Sequence, residues 1–101
     1  GYDRRARKLF SPAERAAAEM EIVLAPEAWP VIPGTGGARK ARAARGGRGK
    51  SGGARIIYYA WTAERTLYLI DVYAKSSKEN LTHDDKEAIR AFIESRRTSK
   101  A

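Results

Sequence analysis

Seven basic residues and no acidic one lie between Gly34 and Tyr59: Arg39, Lys40, Arg42, Arg45, Arg48, Lys50 and Arg55. They are set among Gly34, Gly36, Gly37, Gly46, Gly47, Gly49, Gly52 and Gly53. Guanidinium groups clamp phosphate oxygens in pairs, and glycine lets backbone N–H groups approach an anion. The formal net charge is +8, so this window carries +7 and the rest of the chain +1. Charge concentrated in this way is the footprint of a polyanion partner. The window runs straight into Arg55-Ile56-Ile57-Tyr58-Tyr59, a strand pattern. Its cations are therefore anchored to a sheet, which points to a shaped RNA or DNA site. The plain alternative is a solvated hairpin tip, but such a tip would rarely exclude every acid.

Two glycine motifs in this window fail as nucleotide sites. Arg48-Gly49-Lys50-Ser51 ends like a phosphate-binding loop, yet Ala44 stands where the first glycine is needed. That loop also leads from a strand into a helix, whereas Gly53 here leads into a strand. Gly34-Thr35-Gly36-Gly37 lacks the third glycine of a dinucleotide fingerprint, because Arg39 occupies its place.

Tyr58, Tyr59, Trp61, Tyr68 and Tyr73 are possible platforms for stacked bases. At a period of two about half must face the core, and burial accounts for most of them. Tyr73 shares its side of the strand with Lys75 and is the one aromatic expected on the wet face. His83, the single histidine, falls in the first turn of a helix and reads as a solvated end residue.

The elements that must position these groups follow from the pattern. Asp3 to Phe10 predicts a short polar helix. Ser11-Pro12-Ala13-Glu14 starts a second, with Ser11 as cap, Pro12 in the first turn and Glu14 closing a capping box. It runs to about Ala25, its apolar stripe being Ala13, Ala16, Ala17, Met20, Val23 and Leu24, and Pro26 stops it. A turning connection leads to a weak strand over Ala38 to Ala44, then the glycine-rich loop. Arg55 to Trp61 is a strand rich in β-formers. A polar turn over Thr62 to Thr66 returns the chain as Leu67 to Lys75. On that strand Tyr68, Ile70, Val72 and Ala74 should share one face, with Asp71, Tyr73 and Lys75 on the other. Thr82 caps a last helix with Asp84 and Asp85 in its first turn and Ala88, Ile89, Phe92 and Ile93 on its buried stripe. The expectation is ααβββα, a single α+β domain over residues 1–101 with helices against one face of a small antiparallel sheet.

Composition narrows the classes. An apolar fraction of 43% in 101 residues suits one modest core. No cysteine is present, so disulfides, zinc ribbons and thiol chemistry are excluded. There is no apolar run of membrane-spanning length and no signal-type segment, so a cytoplasmic protein is expected. DNA binding is disfavoured because no basic recognition helix stands out.

Val31-Ile32-Pro33-Gly34-Thr35-Gly36-Gly37-Ala38-Arg39-Lys40-Ala41-Arg42, followed by Gly47-Arg48-Gly49-Lys50-Ser51-Gly52-Gly53-Ala54-Arg55-Ile56-Ile57-Tyr58-Tyr59, resembles the RelE/HigB family of bacterial toxins. Tyr73 to Thr82 looks like the same family's last strand, turn and helix cap. The similarity extends roughly from Arg4 to Ile93. It implies a RelE-like fold and a metal-independent endoribonuclease without cofactors that enters the ribosomal A site and cuts the messenger. It also implies control by a cognate antitoxin, a HigA-like DNA-binding protein. Relatives place a β-strand ahead of the first helix, whereas Gly1-Tyr2-Asp3 runs almost directly into Arg4.

Cleavage of RNA by its own 2′-hydroxyl needs a proton acceptor, cations for the transition-state charge and an acid for the leaving oxygen. One histidine makes a paired-imidazole mechanism unavailable. Arginines serve as clamps, and lysines transfer protons only when their pKa falls, as a crowd of like charges makes it do. The resemblance places functional cations at Lys40 and Arg42, at Arg55 and at Lys75. It implies Arg55 as the transition-state clamp and Lys40 and Lys75 in proton transfer or charge stabilisation. Tyr73 would stack on or orient a base, while Arg39, Arg45, Arg48, Lys50 and Lys78 would grip RNA. A non-catalytic RNA- or ribosome-binding module explains the charge equally well, but does not need Tyr73 and Lys75 to meet Arg55 across a hairpin.

Overall fold

The capping box at Ser11 forms as its chemistry dictates. Ser11 Oγ accepts from the Glu14 N–H at 3.1 Å, and the Glu14 carboxylate accepts from the Ser11 N–H at 2.9 Å. In a computed structural model that describes residues 1–47, 53–78 and 80–99, this box opens helix α2, Pro12–Leu24, after helix α1, Tyr2–Leu9. Strand β1, Arg39–Ala43, then pairs with β2, Ala54–Trp61, which pairs with β3, Thr66–Ala74. Helix α3, His83–Ser99, ends the described chain. The sheet is antiparallel in the order β1-β2-β3, so the expected ααβββα succession and α+β class stand, with the ends of the three strands and of the first two helices within two residues of expectation. A short 3-10 turn, Thr62–Glu64, and a left-handed Arg65 (φ 50°) make the β2–β3 connection. No helix among the described residues is long and apolar enough to cross a membrane.

Helices cover both faces of the sheet rather than the one expected. Successive side chains of a strand point to opposite faces. Ile56 and Tyr58 of β2 join a core with Tyr2, Ala6 and Phe10 of α1 and Ile22 of α2. Ile57 and Tyr59 join a second core with Tyr73 and with Ile89 and Ile93 of α3. The four-residue apolar run Ile56-Ile57-Tyr58-Tyr59 is what a strand buried on both sides requires.

The face assignment on β3 also changes. The pairing steps from Ile57↔Asp71 to Tyr58↔Leu69, which leaves Ile70 as the extra residue of a β-bulge. Tyr68 and Ile70 consequently pack on the α3 side while Val72 packs on the α1–α2 side. A strict period of two had put all three together.

The apolar stripe of α2 is the third correction. Ala13, Ala16, Ala17, Met20, Val23 and Leu24 are exposed, and Ile22 is the residue that α2 buries. The inward side reads Arg15, Glu19 and Ile22, at helical spacing. The Tyr2 hydroxyl donates to Glu19 at 2.7 Å, and Arg15 bridges Asp3 and Glu19, both at 2.9 Å. A polar lock to α1 therefore sets the rotation of α2, against its hydrophobic pattern.

Gly34-Thr35-Gly36-Gly37 turns the chain into β1. Thr35 is buried, its hydroxyl donating to the Ile32 carbonyl at 2.7 Å and accepting from the Ala38 N–H at 3.0 Å. Gly37 sits at φ 121° with the Tyr59 ring 3.3 Å from where a Cβ would stand, so only glycine fits. The motif is architectural.

Thr82 caps α3 as expected, and Asp85 completes the box: Thr82 N–H donates to Asp85 at 2.9 Å and Asp85 N–H to Thr82 Oγ1 at 3.1 Å. The Thr82 N–H, with Lys78 beside it, pulls the Asp85 carboxyl down to about 2. A carboxyl lowered in the folded state stabilises above its unfolded pKa of about 3.9, and that share is lost as pH falls through the folded value. Asp85→Asn should therefore make the denaturant midpoint less sensitive to acidification between about pH 4 and pH 2. Parallel pH profiles for variant and parent would contradict this.

Candidate active site

The antiparallel register sets three of the side chains expected at the site in one row across the sheet. Arg42 of β1 lies opposite Arg55 of β2, which lies opposite Tyr73 of β3. Directly opposed residues share a face. Lys40 precedes Arg42 by two and lies on that face as well, opposite Ile57. Lys75 follows β3 directly, its backbone N–H donating to the Gly53 carbonyl at 3.1 Å, and its side chain is exposed at the end of the row. The row stands where the α3-side core gives way to cations.

Two arginines face to face across a strand pair repel each other. Neither β1 nor β2 carries a carboxylate, since no acid occurs in residues 28–63. Arg55 is only 8% exposed, and its Nη1 donates to the Ala54 carbonyl at 3.1 Å. It is held rather than swinging free. The Asp71 carboxylate of β3 is drawn to α1, where Arg5 donates to both its oxygens at 2.6 and 2.8 Å.

Tyr73 does not lie on the wet face. It is 6% exposed, because α3 closes over this side of the sheet. Lys78 Nζ stands 5.1 Å from the centre of its ring and 2.9 Å from Asp85 Oδ2. The phenol oxygen is buried without a hydrogen-bond partner among the described residues. Burial pushes its pKa up, while Arg55 pulls the other way. A buried hydroxyl left unmatched costs about 1–3 kcal/mol, so its presence beside Arg55 is not explained by stability. The other tyrosines are structural. Tyr58 donates to the Pro26 carbonyl at 2.9 Å, and Tyr59 stacks on Tyr68, which meets Phe92 edge-on.

The expected RNA-gripping cations divide. Arg39 is turned to the connection after α2, donating to the Trp29 carbonyl at 2.6 Å and the Glu27 carbonyl at 3.2 Å. It is a structural clamp. Lys78 is engaged by Asp85 and Tyr73 as described. Arg45 opens the loop after β1 beside Glu14, whose carboxylate also accepts from the Gly46 N–H at 2.7 Å. Arg48 and Lys50 lie outside the described residues. Sequence reading missed both tasks of Asp85, which completes the cap of α3 and holds Lys78 over Tyr73; only its place in the first turn was legible.

A family model described as the RelE toxin of the RelE/RelB toxin–antitoxin system matches residues 34–100. The chain belongs to the RelE toxin family. In this RelE toxin the matched stretch contains β1, β2, β3 and α3, and so every member of the Arg42–Arg55–Tyr73 row. The system of that family pairs the toxin with an antitoxin, which makes a cognate antitoxin its partner.

Proposed function

We propose that this toxin is a ribosome-dependent messenger endoribonuclease acting in the A site, and that Lys40, Arg42, Arg55, Tyr73 and Lys75 carry the reaction. The observation that supports this most is the juxtaposition of Arg42 and Arg55 on one face with Tyr73 beside them. The messenger's 2′-oxygen attacks the adjacent phosphorus, the bond from phosphorus to the 5′-oxygen breaks, and a 2′,3′-cyclic phosphate and a 5′-hydroxyl result. Lys40 or Lys75 takes the 2′-hydroxyl proton and the other returns one to the leaving oxygen. Arg55, with Arg42, binds the phosphorane charge where it develops. Arg42 and Arg55 would repel a divalent metal, so the reaction is read as metal-independent. Programmed ribosomes with purified toxin test this through the ends of the cut messenger. Ends with a 2′,3′-cyclic phosphate and a 5′-hydroxyl are expected, and 3′-hydroxyl with 5′-phosphate ends, the products of a metal-activated water, would overturn that reading.

The Tyr73 hydroxyl, buried in the free toxin, is read as a donor to the bound nucleotide or its scissile phosphate once RNA binding uncovers it. Tyr73→Phe should leave the unfolding midpoint unchanged or slightly raised, because no hydrogen bond is removed, while cleavage falls at least about ten-fold. Equal activity with equal stability would remove Tyr73 from the mechanism.

The antitoxin, HigA-like in the reading given by the resemblance, is expected to offer acidic residues or a segment that folds on binding. Steric exclusion from the ribosome would neutralise the toxin without contact at Arg55. Calorimetric titration of the pair should show affinity falling with added salt. Tight, salt-independent binding would assign the basic loop to the ribosome alone.

A further inference from the structure

Helix α1 is a second concentration of positive charge. Its eight residues hold Arg4, Arg5, Arg7 and Lys8 against Asp3 alone. Arg7 closes on Asp3 at 2.8 Å and Arg5 on Asp71. Arg4 and Lys8 are exposed and have no ion-pair partner among the described residues. Four positions apart, they share a face and repel each other. The helix dipole accounts for Lys8 in the last turn, but Arg4 stands in the first, where a cation is disfavoured. Stability does not explain the pair.

Lys8 lines a groove of about 250 Å³ between α1 and the end of β3, with Arg5, Leu9, Val72, Tyr73 and Ser77. Tyr73 is the outer member of the Arg42–Arg55–Tyr73 row, so the groove begins where the row ends. Two strand spacings, about 10 Å, separate it from Arg55. The acids of α1 and β3 are Asp3, held by Arg7 and Arg15, and Asp71, held by Arg5. The turn after β3, Lys75-Ser76-Ser77-Lys78, adds none. Arg5 reaches both Asp71 oxygens through Nη1 alone, which leaves the rest of its fork for a second acceptor.

We propose that this groove seats the messenger phosphate next to the scissile one, on the β3 side. Lys8 and Arg4 neutralise it, and Arg5 and the Ser77 hydroxyl donate to it. The inference rests on the cleavage site proposed above. Continuity with the row selects the messenger over ribosomal RNA. A strand whose scissile phosphate lies at Arg55, and which follows Tyr73 and Lys75, reaches Ser77 and Lys8 next. Two anchored phosphates fix the strand between them and so position the 2′-hydroxyl for attack.

A hexanucleotide RNA with methylated 2′-hydroxyls cannot be cut, and fluorescence anisotropy reads its affinity for the purified toxin at several salt concentrations. The double variant Arg4→Ala, Lys8→Ala should weaken binding at least about ten-fold at low salt. It should also flatten the slope of log K against log salt by about 0.7, the loss of one phosphate on a single strand. The melting temperature should hardly move, and the double variant Arg4→Lys, Lys8→Arg should bind like the parent. Uncharged methylphosphonates, placed one at a time in the RNA, locate the seat. At one position the affinity lost by the parent should not be lost by the alanine variant, since both changes remove the same contact. Losses that add at every position, or an unchanged affinity and slope, would overturn the proposal. So would weaker ribosome or antitoxin binding with hexanucleotide affinity intact, which would assign these cations to ribosomal RNA or to the antitoxin. The RNA is uncuttable, so a toxin that fails to cleave contradicts the reaction and leaves the seat to be decided by these affinities.

Discussion

Arg55→Ala should reduce messenger cleavage on the ribosome about 100- to 1,000-fold, the loss that follows removal of one transition-state donor. Arg55 is nearly buried and donates to the Ala54 carbonyl, so truncation also leaves a gap beside Tyr73. Arg55→Lys separates the two effects. It keeps the charge and most of the packing but loses the planar fork that binds two oxygens at once. Most of the loss in rate should therefore persist in Arg55→Lys, with a smaller change in unfolding midpoint. Ribosome binding should change little in both, because the proposed role confines the residue to the scissile phosphate. Activity within a few-fold of the parent in either variant would remove Arg55 from the clamp role.

Replacing Arg45, Arg48 and Lys50 together with alanine should produce the opposite separation. Ribosome association should weaken, and its salt dependence should flatten by about 0.7–0.9 in the slope of log K against log salt for each phosphate no longer neutralised. Cleavage by toxin already bound should remain near the parent rate. The loop is tied to α2 where Glu14 accepts from the Gly46 N–H, so the cations leave from a fixed base. An unchanged slope would show that the loop is only solvated charge.

The sequence made the local elements legible because their signals are local. Ser11 with Glu14 reads correctly as a capping box and Thr82 as the cap of α3, whereas Asp85 reads only as a first-turn acid and not as the partner of Thr82. Tyr73 met Arg55 across the hairpin as expected, and the short antiparallel meander that fixes this register also sets Arg42 opposite Arg55. The failures came from groups distant in the chain. Nothing within α2 reveals that Tyr2 and Asp3 will take Glu19 and Arg15 and turn Met20 and Leu24 outward. Nothing within β3 reveals the bulge at Ile70, which breaks the period of two. The burial of Tyr73 had a signal that was available. Ile56-Ile57-Tyr58-Tyr59 leaves the central strand no polar face, so α3 had to cover the side that carries Tyr73. Arg39 looked like its neighbours by type alone, yet carbonyls of Glu27 and Trp29 claim it.

In the function proposed for this RelE toxin, the row of Arg42, Arg55 and Tyr73 cuts the messenger inside a translating ribosome. Primer extension on a translated messenger after toxin induction tests it most directly, with an Arg55→Ala strain and an untranslated copy of the same message in parallel. The account predicts cuts that recur at one position within in-frame codons, absent from the untranslated copy and nearly absent with Arg55→Ala. An intact messenger under the parent toxin would contradict it and favour a module that binds RNA or the ribosome without cutting.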